Sequence, residues 1–231
     1  GLDESRRNEI DFGYQLAQRG IVALCIGTPQ DIRENILYPD REHPTLQPLN
    51  FMAYISANMN TLLRQMPQVK SNRIGVVGHS MGGKWAMFSA CLNDKFATGV
   101  WSDPGIVWDE SHPDTNYWES WYLGWEPGRN EEANKRITPE IKRFSAYKKL
   151  WEENHDLHEL LALMAPRPFL VSGGSCDKPR QWRPLNRVGE VYQVMGYSHR
   201  IGMTNRENHK ITPEDNARII RFLEKTLKED F

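Results

Sequence analysis

The stretch at residues 73–83, RIGVVGHSMGG, decides the fold. Its first five residues are mostly apolar and include β-branched side chains, as in a strand buried on both faces. A glycine-rich turn follows, and a helix is predicted from about Gly82 to Leu92. A strand, the pattern G-x-S-x-G and a helix in this order are the context of a nucleophile elbow, a sharp turn that exposes a serine hydroxyl. The stretch therefore predicts Ser80 as a nucleophile. It also predicts that Gly78 and Gly82 are required because neighbouring backbone leaves no room for a Cβ.

The segments on either side of this turn alternate between short apolar runs and helical patterns. Helices are predicted at residues 5–18, at Leu49–Gln65, from Thr138, and after the capping residue Thr212. Four more buried strands are predicted, at Ile21–Ile26, Phe96–Trp101, Pro168–Ser172 and Ser198–Met203. Because parallel strands are joined by helical crossovers, the alternation predicts an α/β fold, a mostly parallel sheet with helices on both faces.

Length and composition limit the functions that need to be considered. The chain has 231 residues, which suits a single α/β domain over residues 1–231. Its 29 Lys and Arg against 30 Asp and Glu leave no basic surface to bind nucleic acid. The longest apolar runs are far shorter than the roughly 18 residues of a membrane-spanning helix. None of the three cysteines lies in a C-x-x-C pair, so neither a zinc finger nor a redox motif is indicated.

One segment, residues 103–155, is too long for an ordinary α/β connection. It lies between the third and fourth predicted strands and is rich in tryptophan and tyrosine. Such an insertion forms either a cap over a pocket or a cluster packed against the core beneath a long loop. If it forms a cap, its flat indole rings suit the apolar faces of sugars, and Trp108, Trp118 and Trp121 become candidate substrate contacts.

A serine hydroxyl needs a general base, and the base needs an acid to orient it. His209 follows the last predicted strand, in the polar loop before the final helix, and is the predicted base. His79 lies in the elbow and is expected to pack beside the serine, where it is a candidate substrate contact. His155 and His158 are three residues apart and could share a helix face, but no third ligand is evident. No metal is therefore predicted.

Two aspartates compete for the role of the acid. Asp177 lies in the sequence GGSCDK just after the fourth predicted strand, and Asp103 lies in WSDPG just after the third. The order serine, acid, histidine fits both residues. An aspartate before Pro-Gly also has a simple turn-forming role, so loop placement favours Asp177 and leaves Asp103 as the alternative.

Together these features resemble the α/β-hydrolase superfamily over nearly the whole chain. The resemblance is carried by GHSMGG at residues 78–83, the Asp177 loop and His209. More narrowly, residues 156–170, DLHELLALMAPRPFL, are similar to the segment before the acid loop of bacterial polysaccharide-associated esterases. These include glucuronoyl esterases, acetyl xylan esterases and relatives of dienelactone hydrolase. Glucuronoyl esterases also carry Ser-x-x-Gly-Lys, and the resemblance implies that Lys84 contacts the sugar.

Two features depart from that esterase pattern. The arginine that follows the nucleophile in glucuronoyl esterases is Met81 here, although the backbone N–H of Met81 remains a candidate oxyanion donor. The early strands of the fold, and the loop that supplies a second oxyanion donor, have no counterpart in these residues. We therefore expect the natural protein to continue upstream of Gly1.

Three functions follow as hypotheses. The first is a serine esterase that acts on small-molecule or carbohydrate esters through an acyl-enzyme, with no cofactor and with neither nucleic acid nor membrane as a partner. The second is a peptidase of the prolyl-oligopeptidase type, which uses the same order of catalytic residues. The third is a non-catalytic hydrolase fold that binds carbohydrate or serves as a scaffold. The sequence leaves the oligomeric state and the compartment open; action on a polysaccharide would imply a periplasmic or secreted protein.

Overall fold

A computed structural model describes residues 11–26, 48–109 and 145–229 of the chain. In those ranges the α-helices are α1 (Phe12–Gln18), α2 (Pro48–Gln65), α3 (Met81–Leu92), α4 (Ser145–Glu152), α5 (Trp182–Val194) and α6 (Pro213–Lys228). The strands are β1 (Gly75–His79), β2 (Thr98–Ser102), β3 (Phe169–Gly173) and β4 (Ile201–Asn205). Short 3₁₀ helices lie at Leu157–Met164, Pro179–Gln181 and Ser198–Arg200.

The four strands form one parallel sheet in the order β1-β2-β3-β4. Helices pack on both faces of this sheet, with α3 against β1 and β2 and with α6 against β2 and β3. The α/β fold predicted from the alternation of segments is thus confirmed. The pairing also aligns the ends of neighbouring strands, since His79 lies opposite Ser102 and Gly173 opposite Asn205. The loops that follow all four strands therefore meet at one edge of the sheet.

Successive side chains of each strand point to opposite faces of the sheet, so the hydrophobic core has two parts. Trp101, Phe169 and Val171 are fully buried on one face, where they pack with residues of α3, α5 and the Leu157–Met164 segment. The rings of Trp101 and Phe169 stack with their centroids 4.8 Å apart. Val100 and Leu170 face the other way and pack with α1 and α6. Helices cover both faces of the sheet, so side chains on both sides of each strand are buried. This explains the continuous apolar runs in the sequence.

The predicted strand at Ile21–Ile26 is wrong. These residues form no strand, and the five consecutive side chains from Val22 to Ile26 are exposed, Val22 by 44% and Ile26 by 41%. A strand needs a hydrogen-bonded neighbour, and none of the four strands of the described sheet pairs with this run. The other four predicted strands are present, each beginning one to three residues later than expected.

The predicted helices are present in the described ranges, but the one predicted at residues 5–18 begins at Phe12, where the Asp11 side chain caps it. The Thr212 side chain accepts a hydrogen bond from the Asp215 N–H and so caps α6, as its sequence predicts. Of the insertion at residues 103–155, residues 110–144 lie outside the described part of the chain, and with them Trp118 and Trp121. Within the described ranges, no helix combines the length and hydropathy needed to cross a membrane.

Candidate active site

Ser80 lies between β1 and α3 in a strained backbone conformation, with φ of 57° and ψ of −124°. Its N–H donates to the carbonyl oxygen of Ser102 at 2.8 Å, and its own carbonyl accepts from the Lys84 N–H at 3.0 Å. The first hydrogen bond anchors the Ser80 turn to the end of β2, and the second anchors it to the first turn of α3. A non-glycine residue at positive φ costs free energy and persists only where its surroundings enforce it. The predicted nucleophile elbow is present.

The glycines of the elbow are required to different extents. A Cβ on Gly78 would overlap the backbone of Gly82, so no other residue fits there. A Cβ on Gly82 would meet no atom within 4 Å, and the prediction that Gly82 is required on steric grounds is wrong. The tight position on the helix is instead Gly83, where a Cβ would lie 3.0 Å from the Ser102 carbonyl oxygen. Gly83 therefore allows α3 to pack closely against β2.

His209 lies between the serine and an aspartate. Its Nε2 is 2.8 Å from the Ser80 Oγ, and its Nδ1 is 2.6 Å from Oδ2 of Asp103. An ionised carboxylate can only accept, so Nδ1 carries the proton and Nε2 presents its lone pair to the serine hydroxyl. The arrangement is the one a general base requires. The side chain of His209 is 41% exposed, whereas that of Asp103 is fully buried.

Asp103 is held by the loop that follows β3. Its Oδ1 accepts from the N–H groups of Gly174, Cys176 and Asp177 at 2.7, 3.0 and 2.8 Å. Burial raises the pKa of Asp103, but the hydrogen bonds from His209 and from these N–H groups outweigh it and hold the pKa below its ordinary value. Asp103 is therefore ionised over the neutral range.

The preference for Asp177 as the acid beside His209 is wrong, and the alternative, Asp103, occupies that position. The two carboxylate oxygens of Asp177 accept instead from the N–H groups of Ile106 and Gly105, at 2.7 and 2.8 Å. The loop after β3 turns so that its backbone N–H groups, and not its carboxylate, face Asp103. This approach needs a glycine at position 174, where a Cβ would lie 2.7 Å from Oδ2 of Asp103.

The two aspartates thus hold each other's loops. Asp103, after β2, is bound by N–H groups of the loop after β3, and Asp177, after β3, is bound by N–H groups of the loop after β2. We call this pair of contacts the reciprocal clasp. Asn205 strengthens it by donating from Nδ2 to the Asp177 carbonyl oxygen at 2.9 Å. The clasp fixes the position of Asp103 from outside its own loop.

Lys84 does not take the predicted place of a substrate contact. Its side chain is only 1% exposed, and its ammonium group donates to the carbonyl oxygen of Gly105. The position is in the first turn of α3, on the side that packs against the loop after β2, and this placement buries the long side chain. Lys84 therefore stabilises the same loop that the Asp177 carboxylate holds.

Two further candidate contacts lie within the described ranges. The His79 ring is 4.7 Å from the His209 ring, and its Nδ1 is 3.1 Å from the Ser102 Oγ. Burial, together with the nearby His209 and Arg206, lowers the pKa of His79 to about 4, so the ring is neutral at pH 7. Trp108 is half-buried against the core, and its backbone N–H donates to the Asp156 carboxylate at 2.9 Å.

Arg206 is a site residue that the sequence did not reveal. Its guanidinium donates to the carbonyl oxygens of Ser172 and His209, at 2.8 and 2.7 Å, and to the Ser102 Oγ at 3.2 Å. It therefore ties the loop that carries His209 to the ends of β2 and β3. The only sequence signal was an arginine three residues before the predicted base.

His155 and His158 do not converge on a common point. Nδ1 of His155 is 2.9 Å from the Glu159 carboxylate, and Nδ1 of His158 is 3.7 Å from the Asp156 carboxylate. Asp156 and Glu159 also form a capping box at the start of the Leu157–Met164 segment. Each histidine therefore lies beside a different carboxylate at the start of the Leu157–Met164 helix, His155 beside Glu159 and His158 beside Asp156.

The buried Asp177 carboxyl gives the fold a specific pH dependence. Burial, with a smaller contribution from the nearby Asp103, raises its pKa from 3.8 to about 6, against the hydrogen bonds from Ile106 and Gly105. Because the folded-state pKa lies above the unfolded one, this group stabilises the fold fully below pH 4, and the contribution is lost as the pH rises through 6. The loss is at most about 3 kcal/mol.

Asp177→Asn removes that titration while keeping the shape of the side chain. We expect the free energy of unfolding of the wild type, minus that of the variant, to fall between pH 4 and pH 7. Urea unfolding at the two pH values measures the difference. Any constant loss from the altered hydrogen bonds cancels in this comparison. A difference that does not change with pH would show that Asp177 titrates normally.

Solved structures that the chain resembles in fold include glucuronoyl esterases. One, a carbohydrate esterase family 15 enzyme from Caldicellulosiruptor kristjansonii, superimposes with a TM-score of 0.60 at 23% identity, over 83% of this chain and 53% of that one. The enzyme from Teredinibacter turnerae T7901 gives 0.59 at 22% identity, over 78% and 47%. The catalytic domain from Hypocrea jecorina gives 0.58 at 20% identity, over 79% and 52%. This chain spans about half the length of these structures.

Sequence comparison gives the family. No curated protein gives a significant match to the chain. The family model described as the prolyl oligopeptidase family matches residues 55–230, a range that runs from within α2 to the end of the described chain and contains Ser80, Asp103 and His209. With the parallel sheet and the elbow already described, the match shows that the chain is an α/β-hydrolase and belongs to the prolyl oligopeptidase family.

Proposed function

We propose that this chain carries the catalytic centre of a serine hydrolase that cleaves carboxylic esters of carbohydrates. The observation that supports the proposal best is the line of contacts from Ser80 through His209 to Asp103, with heavy-atom distances of 2.8 and 2.6 Å. These are hydrogen-bond distances between a nucleophile, a base and an orienting acid. A binding module or scaffold has no use for three such groups in this order.

In the proposed reaction the Ser80 Oγ attacks the ester carbonyl carbon while its proton passes to Nε2 of His209. The imidazolium that forms is stabilised by the Asp103 carboxylate, which remains ionised. The imidazolium then gives the proton to the leaving alcohol, and an acyl-serine remains. Water attacks this ester with His209 again as the base, and the acid product leaves.

The developing oxyanion needs hydrogen-bond donors. Met81 follows the nucleophile and is the first residue of α3, so its backbone N–H lies at the positive end of the helix dipole. We assign this N–H as one donor. One such donor contributes roughly 100- to 1,000-fold to turnover.

Two observations support a carbohydrate ester as the substrate. Solved structures that share the fold include glucuronoyl esterases, and one of them, a serine-to-alanine variant from Sporotrichum thermophile, was solved with methyl 4-O-methyl-β-D-glucopyranuronate. In addition, the insertion at residues 103–155 is rich in indole rings, which suit the apolar faces of sugar rings. We propose this insertion as a cap, with Trp108, Trp118 and Trp121 as its candidate sugar contacts.

Peptide hydrolysis is the second candidate, because the matching family is named for prolyl oligopeptidase. The same serine, histidine and aspartate can cleave an amide by the same steps, with His209 giving its proton to the leaving amine. The two candidates differ in the bond cleaved and in the group recognised beside it.

Parallel assays separate the candidates. The chain and its Ser80→Ala variant are given a methyl ester of glucuronic acid, an acetylated sugar and a prolyl arylamide, and kcat/KM is measured for each. We expect turnover of a sugar ester that Ser80→Ala abolishes, and a value at least about tenfold below it for the amide, a difference of about 1.4 kcal/mol in transition-state binding. A higher value for the amide would favour the peptidase. No turnover of any substrate, and no reaction of Ser80 with a fluorophosphonate, would contradict serine hydrolysis altogether.

A further inference from the structure

A cysteine thiol lies beside the catalytic histidine, on the side that faces the acid. The Sγ of Cys176 is 3.8 Å from Nδ1 of His209, and that same nitrogen is 2.6 Å from Oδ2 of Asp103. The three possible ligand atoms all lie within 4.8 Å of one another. The proposed hydrolysis uses the imidazole and the carboxylate but has no role for the thiol. We propose that Asp103, Cys176 and His209 form an inhibitory site for Zn²⁺ or a similar transition-metal ion.

The ligand types and spacing fit such an ion. Zinc binds thiolate sulfur at about 2.3 Å and imidazole nitrogen or carboxylate oxygen at about 2.0–2.2 Å. Ligands at these lengths in a tetrahedral site lie roughly 3.3–3.6 Å apart. The sulfur–nitrogen distance of 3.8 Å needs a small contraction, and the nitrogen–oxygen distance of 2.6 Å needs a small opening. Rotation of the Cys176 and His209 side chains would supply both movements and would shorten the sulfur–oxygen distance, which is at most 4.8 Å. Water would complete the coordination.

Backbone hydrogen bonds already orient the Asp103 carboxylate towards the proposed metal position. Oδ1 of Asp103 is held by the three N–H groups of the loop after β3, so only Oδ2 turns towards His209. Hydrogen bonds of this kind to a ligand fix its direction and strengthen metal binding. The Cys176 side chain is half-buried and that of His209 is 41% exposed, so an ion can reach the site from solvent.

Metal binding would stop catalysis through the imidazole tautomer. An ion on Nδ1 takes the lone pair of that nitrogen, and the proton that Nδ1 carried moves to Nε2. Nε2–H can only donate, so it no longer accepts the proton of Ser80. The thiol proton of Cys176 passes to solvent as the thiolate binds the ion. No atom changes oxidation state, and a chelator reverses the inhibition.

The test follows metal binding and nucleophile reactivity separately. The rate of fluorophosphonate labelling of Ser80 is measured with increasing Zn²⁺ for the wild type, Cys176→Ser and Cys25→Ser, each relative to its own rate in chelator. Cys25 is exposed and lies outside the site, so it is the matched control. We expect Zn²⁺ to inhibit the wild type and Cys25→Ser equally. In Cys176→Ser the half-inhibiting concentration rises at least roughly tenfold.

Binding is read without catalysis by adding Co²⁺ to Ser80→Ala, which retains all three ligands. A thiolate-to-cobalt charge-transfer band is expected in this variant and is expected to be absent when Cys176→Ser is added to it. Equal inhibition of wild type and Cys176→Ser, or a cobalt band that survives Cys176→Ser, would overturn the proposal. A wild type that fails to label in chelator contradicts the proposed hydrolase, while the cobalt band still decides the metal site.

Discussion

Ser80→Ala is expected to lower ester turnover by roughly a million-fold and to abolish fluorophosphonate labelling. The variant keeps the fold, because the hydrogen bonds that form the elbow are made by the Ser80 backbone and not by its hydroxyl. It removes the only atom within hydrogen-bond distance of Nε2 of His209 among the described contacts. Intact mass after labelling, together with kcat on a sugar ester, measures the effect.

Ser71→Ala is the matched control for that experiment. Ser71 is an exposed residue in the turn before β1, and its only described hydrogen bond is accepted by its backbone carbonyl oxygen. This variant is expected to label and turn over as the wild type does. An adduct that persists on Ser80→Ala would place the nucleophile elsewhere in the chain and would sink the proposed mechanism.

The second large effect is expected at Asp103. Asp103→Asn should lower kcat by about 10,000-fold, because an amide beside His209 no longer requires the proton on Nδ1 and no longer stabilises the imidazolium. Substrate binding should change little, since the substitution preserves shape and lies behind the histidine. Steady-state kinetics on one ester, with kcat and KM reported separately, gives the result.

Asp177→Asn separates the acid from the residue that positions it. Among the described hydrogen bonds, its carboxylate accepts from the N–H groups of Gly105 and Ile106, and its hold on Asp103 passes through a backbone N–H that the substitution leaves in place. We expect a smaller loss of kcat than in Asp103→Asn, by at least about tenfold. An equal or greater loss of kcat in Asp177→Asn would indicate that Asp177, and not Asp103, is the acid that acts with His209.

The sequence predicted the parts of this site that depend on residues close to one another along the chain. Ser80 and its turn follow from a strand, a glycine pattern and a helix that are contiguous in the chain. His209 follows from its place between the last strand and the last helix. The parallel sheet follows from apolar runs, because strands buried on both faces carry little else. Each of these features is carried by residues that are close together in the sequence.

The parts that sequence reasoning missed depend on contacts between distant segments. Asp103 and Asp177 both follow strands whose ends meet at one edge of the sheet, so loop placement alone admits either as the acid. The direction of each carboxylate is set by backbone N–H groups more than 70 residues away. Likewise, Ile21–Ile26 has the composition of a buried strand, but composition does not supply the neighbouring strand that would pair with it.

The reciprocal clasp also couples the opening motions of the two loops that it joins. The N–H groups that bind Asp103 and those that bind Asp177 belong to two loops, yet neither set can be released without loosening the other. Gly105 and Ile106 on one side, and Gly174, Cys176 and Asp177 on the other, therefore form one cooperative opening unit for amide hydrogen exchange. Whenever that unit opens, His209 loses its acid, and the time the loops spend closed becomes the upper limit on the time the site is active.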